Sequence, residues 1–66
     1  MQELDQLLER YLALAWPIAD ATERAAFEHL LECEDTDLWS WLMGRSRPED
    51  ATLDALVQRI QALPPR

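Results

Sequence analysis

Leu4, Leu7, Leu8, Tyr11, Leu12 and Ala15 recur at intervals of three and four residues, which puts them on one face of a helix with 3.6 residues per turn. The pattern predicts a first helix from about Glu3 to Ala15. Glu3 and Asp5 fall in its first turn, where carboxylates complement the positive end of the helix dipole. Pro17 biases Trp16 out of helical geometry, so the helix is expected to stop there, with Trp16 and Ile18 folding back as apolar plugs. A second stripe, Ala26, Phe27, Leu30 and Leu31, belongs to a helix from Ala21 to about Cys33, with Ala25 and Cys33 at its margins and Glu28 and Glu32 on the wetter side. Asp20 and Glu23 have the spacing of a capping box: the Asp20 carboxylate accepts from a backbone N–H one turn on, and Glu23 reaches back to the Asp20 N–H.

Leu38, Trp41 and Leu42 make a narrow stripe on a third helix of about two turns, leaving Trp39 and Met43 nearer the rim. Asp35 is its expected N-cap and Asp37 adds charge to its first turn. Gly44 is placed for a left-handed C-terminal cap, and a helix this short must be held by packing. Trp41, on the narrow stripe, is expected to be a core residue; after the connection Arg45–Pro48, Asp50 is the expected cap of a last helix whose stripe is Leu53, Leu56, Val57, Ile60 and Leu63, with Asp54, Gln58 and Gln61 outside. Pro64 and Pro65 stop it, leaving 64–66 as a poorly structured tail. With no strand pattern and no internal repeat, the chain is expected to be all-α: one domain over 1–66, a small bundle of four helices with short connections.

The length restricts this fold to a small core, since a domain of 66 residues buries only about 60% of its unfolded surface. A single cysteine excludes an internal disulfide and suits a reducing compartment. The formal charge of -7 argues against nucleic acid, which calls for a basic footprint, and against an anionic membrane surface. A basic protein surface is the natural match. No apolar run approaches the roughly 20 residues of a membrane span, and the acidic start Met-Gln-Glu-Leu-Asp is unlike a signal peptide, so a cytoplasmic location without membrane insertion is expected.

Catalytic chemistry finds little support. His29 is the only histidine and sits beside the core stripe as a structural residue. Cys33 is flanked by Glu32 and Glu34, which raise a thiol pKa rather than activate it. There is no lysine, and one isolated glycine excludes phosphate-cradling loops. The acids Glu32, Glu34, Asp35 and Asp37 lack the glycine turn and ligand spacing of an EF-hand, so no metal site is assigned. No enzyme is expected and no cofactor is held by the chain. Trp39, two positions from Trp41, cannot share its face fully and is a candidate partner contact, and Asp35 and Asp37 form either an acidic docking edge or simple dipole complements. The residues alone thus describe an acidic, helical, protein-binding domain.

The stretch Leu30-Leu-Glu-Cys-Glu-Asp-Thr-Asp-Leu-Trp-Ser-Trp-Leu-Met43 resembles the signature of the SdhE family, also called YgfY, the bacterial relatives of the mitochondrial succinate dehydrogenase flavinylation factors. Glu3-Leu-Asp5 resembles the start of that family's long helix, Pro48 and the stripe from Leu53 to Ile60 resemble its final helix, and nearly the whole chain is covered. The resemblance implies a five-helix factor that binds the flavoprotein subunit of succinate dehydrogenase, and often of fumarate reductase, and promotes covalent attachment of FAD to the client. It also implies a non-catalytic role, with FAD residing on the client. Members described as antitoxins supply the alternative of another protein-interaction module. The family's motif is Arg-Gly-x-x-Glu: Met1, Gln2 and Glu3 match its last three positions, while its Arg and Gly, and the family's first short helix, would precede Met1. Glu3 therefore carries over as the motif residue, with Met1 beside it and Asp5, Asp35, Asp37 and Trp39 extending the expected docking surface. A monomer or weak homodimer is expected.

Overall fold

Asp50 accepts backbone hydrogen bonds at Oδ1 from Thr52 at 2.8 Å and Leu53 at 3.2 Å, and from this cap the last helix buries Leu53, Leu56, Val57 and Ile60. In the computed structural model, which describes residues 2–64, that helix is the one the others are built against. The helices are α1 (Gln2–Leu14), α2 (Ala21–Leu31), α3 (Asp35–Leu42) and α4 (Ala51–Ala62), with a 3-10 turn at Trp16–Ile18. Helix α4 packs against α1, α2 and α3, and α1 also meets α3. No strand occurs among the described residues, and the all-α expectation holds. Met1 and the tail beyond Pro64 lie outside the described residues.

The buried core draws on every helix: Leu4, Tyr11 and Ala15, then Ala26, Phe27 and Leu30, then Leu38 and Leu42, closed by the four residues of α4. Phe27 is its aromatic centre. Tyr11 stacks on it at 4.5 Å between ring centroids, and Trp16 meets it edge-on at 5.7 Å. The Arg24 guanidinium lies 5.0 Å from the centroid of the Trp16 ring and donates to the Trp16 carbonyl at 3.2 and 2.9 Å, fixing the turn after α1 onto α2.

Several expectations are corrected. Leu12 (47% exposed) and Leu31 (52%) leave the core, because Tyr11 and Leu30 take the inward positions next to them and each helix turns the following residue by about 100°. Ile18 is 76% exposed and is no plug: the 3-10 turn directs Trp16 onto Phe27 and sends Ile18 outward. Helix α2 ends at Leu31, short of Cys33. Asp35 is already helical; the N-cap of α3 is Glu34, which makes no side-chain cap bond. Trp41 is half-buried against the core rather than within it.

Asp20 caps α2 as expected, its Oδ1 accepting from the Glu23 N–H at 2.8 Å. Glu23 does not close the box; its Oε2 accepts from Tyr11 and Arg59 instead. Gly44 has φ of +79° and ends α3 in a Schellman arrangement, with Gly44 N–H on the Trp41 carbonyl at 3.1 Å and Arg45 N–H on the Ser40 carbonyl at 2.8 Å. Gln61, expected only as an outside residue, reaches from α4 to the Trp41 and Leu42 carbonyls at 3.1 and 3.2 Å, so one helix satisfies the open end of another.

Candidate functional site

The first turn of α1 carries Glu3 and Asp5, both exposed, and α1 is held there by Leu4 pointing into the core. One turn on, the same helix borders a cleft of about 180 Å³ lined by Glu3, Gln6, Leu7, Arg10 and, across from α1, Met43. The contact between α1 and α3 creates this recess. Leu7 and Met43 are both half-buried and pack on the core, which gives it an apolar lining between two charged residues. Trp39 stands four positions before Met43 and therefore shares its side of α3. Half-buried Trp39, unlike Trp16 and Trp41, is not among the side chains packed against the core cluster of the described residues.

Asp35 and Asp37 are not brought into the cleft. They occupy the opposite end of α3, about 9–12 Å along the axis from Met43 at 1.5 Å per residue. There they complement the helix dipole, and the Cys33 thiol nearby donates to the His29 carbonyl at 3.5 Å. Burial, followed by the charges of Asp37 and Glu32, pushes the Cys33 thiol above its ordinary range, opposite to what a nucleophile needs. His29 is exposed on α2. No group of three or more metal-ligating side chains forms among the described residues.

Electrostatics separate the surface acids from the structural ones. Arg24, Arg47 and Arg59 are engaged internally, by the Trp16 carbonyl, Asp54 and Glu23. The Arg47 hydrogen bond holds the Asp54 carboxyl below its usual range. Glu3 and Asp5 have no such cation among the described residues, and they face outward in a chain of formal charge -7. This surface suits a protein carrying basic groups, and it offers no nucleophile paired with a base.

Of the residues expected in the docking surface, Glu3 lines this cleft and Asp5, Asp35, Asp37 and Trp39 do not; Met1 lies outside the described residues, and Gln6, Leu7 and Arg10 are lining residues the sequence reading does not single out. The signal was present: Glu3, Leu7 and Arg10 stand at i, i+4 and i+7, one face of α1. It was hidden because Leu7 was read only as core.

The family model described as flavinator of succinate dehydrogenase, Sdh5, matches residues 1–64. The chain belongs to this family. Among curated relatives, the FAD assembly factor SdhE of Xylella fastidiosa (strain 9a5c) is 48% identical over 64 residues, which is 97% of this chain and 66% of the relative. The FAD assembly factor SdhE of Methylococcus capsulatus is 49% identical over 63 residues, 96% of this chain and 76% of the relative. That of Pseudomonas aeruginosa is 47% identical over 60 residues, 91% and 71% of the two chains. The chain thus spans just under two thirds of the length of the Xylella relative. No solved structure matches it significantly. Membership of the Sdh5 family agrees with the resemblance carried by Leu30–Met43. No helix among the described residues is long and apolar enough to cross a membrane.

Proposed function

We propose that this chain is an assembly factor that binds the flavoprotein subunit of succinate dehydrogenase, or of fumarate reductase, and promotes covalent attachment of FAD to it. The observation that carries this reading is the flavinator family match over residues 1–64, which includes Glu3 and the whole bundle that positions it. The chain is a single helical domain that acts in the cytoplasm as a monomer or weak homodimer. It is not an enzyme and holds no cofactor of its own; FAD sits on the client.

Client contact centres on Glu3, with Met1, Asp5 and Trp39 extending it. Asp35 and Asp37 form a second, more distant docking edge. The exposed carboxylates of Glu3 and Asp5, without internal cations among the described residues, support this assignment. Co-purification tests it. A tagged form of this chain, co-expressed with the flavoprotein subunit of the same organism's succinate dehydrogenase, retains that subunit on the resin; failure to retain it contradicts the proposal.

A further inference from the structure

The recesses of this surface differ in what their polar groups have left to offer. Between α3 and α4 lies one of about 310 Å³, lined by Trp41, Arg47, Asp54, Gln58 and Gln61 among others. Its polar lining is spent within the fold: Arg47 and Gln58 on Asp54, Gln61 on the end of α3. The smaller cleft between α1 and Met43 is the reverse case. Glu3 and Arg10 both line it, and neither forms an ion pair among the described residues. At about 180 Å³ it falls below the range of roughly 300–1,000 Å³ typical of small-molecule sites, a size suited to an apolar side chain rather than a whole ligand.

Glu3 and Arg10 stand two turns apart on α1, about 10.5 Å along the axis, with Leu7 between them on the same face. Successive side chains of extended chain point to opposite faces, so every second residue shares one face, and three such residues span about 13 Å, a length the long Glu3 and Arg10 side chains can meet. Resting on the client reading above, we infer that the cleft receives one short extended segment of the flavoprotein client. In that segment a basic side chain meets Glu3, an apolar side chain two positions on enters between Leu7 and Met43, and an acidic side chain four positions from the basic one meets Arg10. Arg10 gives the segment its direction, since Glu3 and the apolar lining alone accept a basic-apolar sequence either way round. A second copy of this chain is a poor occupant, because it brings a like charge of -7.

Calorimetric titration of the 66-residue chain into the isolated flavoprotein subunit tests this. Arg10→Ala, and Arg10→Gln, which keeps much of the aliphatic stem, weaken binding about tenfold, while Arg10→Lys stays within about threefold. Ala25→Glu, on the exposed side of α2, lowers the net charge by the same unit as Arg10→Ala and leaves affinity within about twofold. Equal affinity of the two neutral Arg10 variants and the original chain overturns the inference while the client reading stands. So does an Ala25→Glu loss as large as that of Arg10→Ala, which reduces the effect to general charge, or an effect of Arg10 on self-association instead of client binding. Absence of binding by the unsubstituted chain is a separate result, and it removes the client reading and the cleft's occupant together.

Discussion

Tyr11 donates its phenolic hydrogen to Glu23 Oε2 at 2.7 Å across 12 positions of chain, and Arg59 Nε donates to the same oxygen at 3.1 Å. One carboxylate thereby ties α1, α2 and α4 beside the Tyr11–Phe27 stack. Glu23→Ala leaves the Tyr11 hydroxyl without this acceptor and is expected to cost about 1–3 kcal/mol. Little of that comes from the ion pair, because the side chains of Arg59 and Glu23 are 40% and 25% exposed. Urea unfolding reads the loss, and an unchanged midpoint would remove Glu23 from the stabilising set.

The buried Tyr11 phenol also makes stability fall at alkaline pH. Burial, then the hydrogen bond and charge of Glu23, push the Tyr11 phenol far above its ordinary range. In the unfolded chain it ionises near pH 10, so above that pH the unfolded state releases the proton first and gains. The contribution is complete below about pH 10 and is lost as pH rises further. Unfolding midpoints measured between pH 8 and 11 should fall for the native chain and fall less for Tyr11→Phe.

Phe27 sits between Tyr11 and Trp16 with 2% of its surface exposed. Phe27→Ala is expected to cost about 3–5 kcal/mol. A chain this short has only a few kcal/mol up to about 10 to lose, at roughly 0.05–0.15 kcal/mol per residue. Circular dichroism should show a broad or absent thermal transition for Phe27→Ala, with cooperative unfolding kept by Phe27→Leu.

Gly44 tests the backbone alone. A Cβ there would meet nothing nearer than Gln61 Nε2 at 4.0 Å, so space does not forbid a side chain. The cost of Gly44→Ala comes from φ of +79° and should be about 1 kcal/mol. Chemical denaturation measures it, and a neutral or stabilising result would contradict the capping account.

Helix number, order and the caps at Asp20, Asp50 and Gly44 were legible in the sequence because periodicity and cap chemistry are local. What was not legible depended on partners far along the chain. Glu23 looked like half of a capping box, yet Tyr11 and Arg59 outbid the Asp20 N–H for its carboxylate. Gln61 looked like a solvated residue, and only the approach of α3 shows why its amide matters. Leu12 and Leu31 fit their stripes by spacing, but spacing does not say how wide a face the neighbouring helices cover. The candidate site divides in the same way: the resemblance points to Glu3 locally, whereas the cleft joining Glu3 to Arg10 exists only because Met43 packs across from α1.

The proposed function has covalent flavin attachment to the client driven through the Glu3 surface. In-gel flavin fluorescence of the denatured client, expressed with and without the chain in cells lacking their own factor, measures it. The account predicts a strong covalent signal with the chain, and a signal reduced several-fold with Glu3→Ala although that variant keeps its unfolding temperature. Equal fluorescence with and without the chain would contradict the account.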